Sequence, residues 1–102
     1  MIESKNQVLE ELNKALPKLK WIDSASHNCI ENEENKFFDF FIELRESYVN
    51  RTLDPVYFAE IRSHDTLIDS SNNIEGLISI IRDQLHKEAL EIISTVKEVA
   101  DL

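Results

Sequence analysis

The stretch that decides the fold is residues 37–45, with the sequence FFDFFIELR. Every second residue of this stretch is apolar, and one face of an extended chain carries Phe38, Phe40, Ile42 and Leu44. The opposite face carries Phe37, Asp39, Phe41, Glu43 and Arg45. A period of two with aromatic and branched side chains is typical of a β-strand with one buried face. We therefore expect a strand whose first face packs against helices and whose second face points outward.

A second strand is expected at about residues 56–63, where the sequence VYFAEIRS alternates again. Pro55 precedes it, and proline is tolerated at the start of a strand. Residues 46–54 then connect the two strands as a long hairpin. Residues 20–30 fit one or two short strands, and residues 31–35 are expected to form a charged turn between strands. Together these segments predict an antiparallel sheet of about three to four strands.

Helices are predicted on both sides of the strands. Ser4 and Gln7 form a capping-box pattern, and Pro17 ends the helix that follows, so this helix covers about residues 4–16. Asn72 is the expected N-cap of a second helical segment. Apolar residues recur there at helical spacing, at positions 74, 78, 81, 85, 92, 96 and 99. Neither Gly nor Pro interrupts most of this segment, so one long C-terminal helix and a helix pair both fit.

An α+β fold in a single domain follows from this order of elements. One helix precedes a contiguous set of strands and another follows it, whereas α/β folds alternate strands with helices. One domain, residues 1–102, is the expectation for a chain of 102 residues.

Several function classes are excluded by composition. The chain has one Gly and therefore no glycine-rich phosphate loop, and we expect no cofactor. Cys29 is the single cysteine, which favours a reducing compartment, and its spacing from His27 and His64 matches no zinc pattern. No apolar run approaches the ~20 residues that span a bilayer, and residues 1–4 show no signal-peptide pattern. We therefore expect a cytoplasmic protein without metal or membrane contact.

Acidic residues dominate the chain unevenly. Twenty Asp and Glu residues stand against eleven Lys and Arg residues, a net charge of −9. Residues 1–22 hold three acids and four lysines, a net of +1, so residues 23–102 hold seventeen acids and seven bases, a net of −10. Six carboxylates fall within residues 31–46, against Lys36 and Arg45. Such a surface repels nucleic acid and anionic lipid, and it attracts a basic protein at long range.

The candidate binding surface combines this acidic region with the outward strand face. Aromatic rings supply contact area to a protein partner, while carboxylates steer a basic partner and select it. The predicted partner-binding residues are Glu31, Glu33, Glu34, Phe37, Asp39, Phe41, Glu43, Phe58 and Glu60. The alternative is that a loop or helix covers this face, or that the strand register places the rings in the core.

Three functions are compatible with these patterns. The first is a non-enzymatic inhibitor or neutraliser of a basic protein, as immunity proteins, antitoxins and protein mimics of nucleic acid are. The second is a chaperone or assembly domain that forms a homodimer through residues 74–99, because the apolar stripe there is broad. The third is a small hydrolase. Asp54 and residues 60–62 loosely match the Glu-x-Lys strand pattern of nucleases, but Arg replaces Lys and the acidic charge repels DNA. We therefore expect no enzymatic activity.

Overall fold

The computed structural model describes residues 1–26, 28–47 and 56–101. In chain order the elements are α1 (Lys5–Ala15), β1 (Trp21–Asp23), β2 (Cys29–Asn32), β3 (Phe40–Ser47), β4 (Val56–Ser63), β5 (Thr66–Ser71) and α2 (Ile74–Ala100), with a 3-10 turn at Pro17–Leu19. The strands form one antiparallel sheet in the order β1-β2-β3-β4-β5. The predicted α+β fold is confirmed, and within the described residues the sheet has five strands where three to four were expected. Pro55 and most of the predicted connection at residues 46–54 lie outside the described residues.

β5 is the strand that the sequence pattern misses. A two-residue turn joins it to β4, and both turn residues, His64 and Asp65, have left-handed backbone conformations with φ of 49° and 65°. Positive φ at both central residues is the mark of a type I′ turn, in which Asn and Gly are the preferred residues. The strand itself, TLIDSS, lies at the sheet edge and shows little apolar alternation. Neither the turn nor the strand therefore carries a recognisable sequence signal.

The inner face of the sheet holds the alternating apolar residues that the pattern predicts. Its buried members in β3 and β4 are Phe40, Ile42, Leu44, Ala59 and Ile61. Both helices pack on this face and contribute four fully buried residues to the same core, namely Val8, Leu12, Leu77 and Ile81. The Trp21 ring lies 6.1 Å from the Phe40 ring and extends the core towards β1. The molecule therefore has two layers, with both described helices on one face of the sheet.

α1 begins as the capping pattern predicts. The Ser4 Oγ accepts a hydrogen bond from the Gln7 N–H at 3.1 Å, and the Gln7 Oε1 accepts one from the Glu3 N–H at 2.8 Å. These bonds satisfy amide groups at the helix start that have no partner within the helix. The helix ends at Ala15, shortly before Pro17, as expected.

α2 is one continuous helix of 27 residues and spans about 40 Å at 1.5 Å per residue. Its N-cap is Asn73, whose Oδ1 accepts a hydrogen bond from the Gly76 N–H at 2.7 Å. The predicted N-cap, Asn72, is wrong by one residue. Its side-chain oxygen accepts a hydrogen bond from the Asn73 Nδ2 and therefore does not cap the helix.

The second half of α2 projects from the body of the protein. Its last buried residue is Glu88, and the protein measures 61 × 22 × 22 Å, with this helix contributing to the long dimension. Residues 89–100, called the overhang below, expose four large apolar side chains, Leu90, Ile93, Val96 and Val99. Within the described part of the chain, no helix is both long and apolar enough to cross a membrane.

Candidate protein-binding surface

The outer face of the sheet, opposite α1 and α2, carries a row of side chains across all five described strands. Strand pairing places these residues next to one another in the order Ile22, Glu31, Phe41, Arg62 and Leu67. Residues directly opposite on neighbouring antiparallel strands share a face, so the five side chains lie side by side. Ile22 and Leu67 are exposed, and the three between them are half-buried. We call these five residues the outer row; it combines apolar contact area with both signs of charge.

A second set of residues on the outer face brings two predicted carboxylates together. Glu43 of β3 lies opposite Glu60 of β4, and like charges in this position destabilise a sheet. Arg45 offsets the repulsion, because its Nε lies 2.8 Å from a Glu60 oxygen and its Nη2 lies 3.5 Å from a Glu43 oxygen. The hydrogen bond to Glu60 and the charge of Glu43 raise the pKa of Arg45 above its ordinary value. Both carboxylates are therefore engaged within the sheet, beside the half-buried Phe58.

A hollow of about 550 Å³ opens near the segment that joins β2 to β3. Four of the predicted binding residues line it, namely Glu31, Glu33, Glu34 and Asp39. We call this concavity the acidic hollow. Lys36 also lines it, and the Lys20 Nζ lies 3.6 Å from Glu33 Oε2. Among the described residues, the other three carboxylates form no ion pair.

The acidic hollow and the outer row form one continuous surface. Ile22 and Glu31 line the hollow and are also two members of the outer row. Phe41 pairs with Glu31 across β2 and β3, so the two side chains are neighbours on the outer face. A partner that inserts a cationic group into the hollow would therefore also reach the apolar part of the sheet.

Asn32 holds the wall of the acidic hollow in place. This side chain is buried, and its Oδ1 accepts a hydrogen bond from the Phe40 N–H at 2.7 Å. Its Nδ2 donates to the Glu33 carbonyl at 2.9 Å and to the Phe38 carbonyl at 3.1 Å. Three hydrogen bonds from one side chain thus fix residues 33–39, which carry three of the four carboxylates. The sequence prediction missed this role, since an Asn at a strand end signals only a turn.

Phe37 does not share a face with Phe41, so this part of the predicted surface is corrected. The Asn35 Oδ1 accepts hydrogen bonds from the Phe37 N–H at 2.8 Å and the Phe38 N–H at 3.2 Å. This turn interrupts the alternation, and β3 starts only after it. Phe37 is 55% exposed and lies beside α2, where it lines a groove of about 360 Å³ together with Ile92.

A buried carboxylate, Glu88, joins α2 to the turn between β4 and β5. The Ser63 Oγ donates to its two oxygens at 3.0 and 3.2 Å, and the His64 Nε2 lies 2.9 Å from Glu88 Oε1. An activated serine nucleophile needs its hydroxyl on the imidazole, whereas here the hydroxyl and the imidazole both contact the carboxylate. These contacts connect α2 to the end of β4 and to the turn that follows it. Sequence reasoning missed them because these residues lie far apart in the chain.

The hydrolase and metal hypotheses gain no support from the described residues. Glu60 is bound by Arg45, and Asp54 and His27 lie outside the described part of the chain. No group of three or more His, Cys, Asp or Glu side chains that could hold a metal occurs where the structure is described. Burial, and secondarily the charge of Glu43, raise the pKa of the Cys29 thiol above its ordinary value of 9.0. A raised thiol pKa disfavours both nucleophilic attack and metal ligation.

The predicted binding residues thus fall into three groups. The acidic hollow contains Glu31, Glu33, Glu34 and Asp39, and the outer face adds Phe41, Glu43, Phe58 and Glu60. Phe37 stands apart beside α2. Comparison of the chain with protein-family models, with curated proteins and with solved structures found no match.

Proposed function

We propose that this chain is a non-enzymatic protein that binds a basic protein partner in the cytoplasm and blocks it, as immunity proteins, antitoxins or protein mimics of nucleic acid do. The single observation that carries the proposal is the acidic hollow. Four carboxylates converge there on one concave surface, and three of them have no ion-pair partner among the described residues. Exposed and half-buried apolar side chains of the outer row adjoin it.

Net charge supports the encounter step. A charge of −9 on 102 residues produces a negative potential that speeds association with a basic protein and repels nucleic acid. Salt screens charges beyond about 8 Å at physiological ionic strength, so the choice of partner depends on groups that come into contact. Those groups are in the hollow and on the outer row.

The acidic hollow supplies directional recognition. Four carboxylates, less Lys36 in the lining and Lys20 paired with Glu33, leave two negative charges, with His64 counted as neutral. Carboxylates bind Arg through paired, charge-assisted hydrogen bonds and bind Lys through its compact ammonium group. The hollow therefore suits a small cluster of Arg or Lys side chains on a partner.

The outer row supplies contact area and selectivity. Ile22, Phe41 and Leu67 offer apolar surface that water leaves when a partner docks. Arg62 lies between Phe41 and Leu67, so a uniformly basic surface would meet a like charge there. The face thus favours a partner whose basic patch borders an apolar or acidic spot. Arg62 repels other basic partners and in this way adds specificity.

Blocking follows from the same chemistry. An enzyme or toxin that acts on nucleic acid contacts its phosphate groups through Lys and Arg side chains. A protein that fills this patch with carboxylates and covers its border with apolar side chains excludes the phosphates by occupying their place. No covalent step is required, and inhibition is reversible and sensitive to salt.

Affinity capture from the native host with three matched proteins tests the proposal. The hollow variant is Glu34→Gln with Asp39→Asn, and the control is Glu10→Gln with Asp83→Asn, which changes net charge equally at exposed sites on α1 and α2. A basic protein recovered by the wild type and the control, and reduced at least about tenfold with the hollow variant, supports the proposal. Equal recovery with all three proteins contradicts it.

A separate observation favours a second candidate, a chaperone or assembly domain that acts as a homodimer. The overhang exposes large apolar side chains that neither the sheet nor α1 covers. The acidic hollow plays no part in this candidate, so the hollow variant described above leaves it unchanged.

A further inference from the structure

The overhang presents a continuous apolar stripe. Leu90, Ile93, Val96 and Val99 are 53%, 51%, 61% and 62% exposed, which is far more than a helix packed on its own domain leaves open. At about 100° per residue, Ala89, Ile92, Ile93, Val96 and Ala100 fall within an arc of roughly 100°. Val99 and Leu90 lie on either side of this arc. An apolar arc of this width is typical of a helix with a partner along its length.

The stripe continues onto the body of the protein at the base of the overhang. On one side it meets the groove lined by Phe37, Ile92 and Val96. On the other side, a mainly apolar groove of about 420 Å³ lies between the end of α1, Phe38 and Leu85. Phe37 lines the first groove and Phe38 the second, and their rings are 6.4 Å apart in an edge-on contact. One molecule thus carries both a projecting apolar helix and apolar grooves at the base of that helix.

We propose that a second copy of this chain covers this surface, with the two overhangs packed antiparallel about a two-fold axis. The overhang is 12 residues, or about 18 Å, long. Two equal overhangs that pair antiparallel bring the tip of each to the base of the other. Val99 near one tip then meets the groove beside Phe37 of the second copy, and the same contact occurs twice, as two-fold symmetry requires.

The area of this contact is that of a weak, transient interface. A helix about 18 Å long and about 12 Å wide has a lateral surface of roughly 680 Å². Half of it, about 340 Å², is covered when the helix lies between a second helix and a groove. The two helices alone therefore bury about 680 Å² in total, and the groove walls raise this towards the roughly 1,000 Å² expected of a biological interface. The dimer is therefore concentration-dependent and dissociates on dilution.

Charge favours a second copy at this place over a basic partner. Residues 89–100 contain Glu91, Lys97 and Glu98, a net charge of −1, while the whole chain carries −9. The charge per residue is thus the same in both, but Glu91, Lys97 and Glu98 all lie outside the apolar arc, so two stripes meet with no charged side chain between them. A strongly basic protein finds little to attract it there and is directed to the acidic hollow.

Sedimentation equilibrium over about 1 µM to about 500 µM tests the proposal. The wild type is expected to rise from the monomer mass of 11.9 kDa towards twice this mass. Ile93→Glu with Val96→Glu adds two negative charges to the stripe and is expected to weaken the dimer at least about 50-fold. The control, Lys87→Gln with Ser94→Glu, changes the net charge equally at exposed positions on the opposite side of the helix and changes the dimer constant less than about threefold. A wild type that stays monomeric, or two variants that weaken association equally, overturns the proposal.

Disulfide cross-linking tests the antiparallel arrangement independently of these substitutions. In a Cys29→Ala background, Ala89→Cys and Ala100→Cys copies are mixed and oxidised. Antiparallel overhangs place residue 89 of one copy near residue 100 of the other, so the mixed pair is expected to form faster than either like pair. Faster formation of the like pairs indicates parallel helices and contradicts the geometry. The Glu34→Gln, Asp39→Asn variant is expected to dimerise like the wild type, which separates this proposal from the proposed function.

Discussion

Substitution of Asn32 by Ala is expected to destabilise the fold and loosen the acidic hollow together. The change removes the acceptor of the Phe40 N–H and the donor to the Glu33 and Phe38 carbonyls. A buried donor left without a partner costs about 1–3 kcal/mol, and a bond lost at a site that water reaches costs about 0.5 kcal/mol. The expected loss is therefore about 3 kcal/mol of unfolding free energy.

Urea denaturation followed by Trp21 fluorescence measures this loss, because Trp21 is buried against Phe40 and is the single tryptophan. For a domain of this size, about 3 kcal/mol also lowers the melting temperature by roughly 14 °C. Asn6→Ala, at an exposed position of α1, is the control and is expected to stay within about 0.5 kcal/mol of the wild type.

Asn32→Asp refines the result. The carboxylate keeps an acceptor for the Phe40 N–H but turns an oxygen towards two carbonyl groups that need a donor. We expect it to destabilise at least as much as alanine does. If Asn32→Ala unfolds within about 0.5 kcal/mol of the wild type, the three hydrogen bonds do not hold this segment and the reasoning about the hollow fails.

Two further predictions concern the outer face. Arg45→Ala leaves Glu60 facing a second carboxylate, so the melting temperature is expected to fall. Adding Glu60→Gln to this variant removes the repulsion and is expected to restore part of the lost melting temperature. Equal melting temperatures of the single and double variants would show that Arg45 does not offset repulsion. Burial raises the pKa of Cys29 above 9.0, so the folded thiol stays protonated where the unfolded thiol ionises. The contribution of the protonated, buried Cys29 thiol to the unfolding free energy is present below pH 9.0 and is lost as the pH rises through the folded pKa. The unfolding free energy is therefore expected to fall more steeply above pH 9.0 in the wild type than in Cys29→Ala, and equal pH profiles would contradict the shift.

Strand and helix patterns identified the elements that form the core. The alternation of Phe40, Ile42 and Leu44 reflects burial of one sheet face, which a period of two records directly. Ser4 and Pro17 marked the ends of α1 because capping and proline chemistry act within a few residues. These signals are local, so a single sequence contains them.

Features that depend on contacts between distant residues were not predictable in this way. Arg45 and Glu60 meet only because of the register of β3 and β4. This register places two predicted binding carboxylates, Glu43 and Glu60, in one ion cluster around Arg45. Phe37 does not lie on the outer face, because the turn at Asn35 interrupts the strand alternation before β3 begins. The sequence predicts the apolar stripe of α2. It does not predict which part of the stripe is exposed, because this depends on how much of α2 the sheet covers.

The acidic hollow is tested most directly by the affinity of the captured partner for the wild type and the hollow variant across a salt series. For the wild type and the Glu10→Gln, Asp83→Asn control, we expect the affinity to fall at least about tenfold between about 50 mM and about 500 mM salt. For Glu34→Gln with Asp39→Asn, we expect weaker binding and a markedly smaller dependence on salt. A hollow variant that binds as tightly as the wild type, with the same salt dependence, contradicts the proposed role of the hollow.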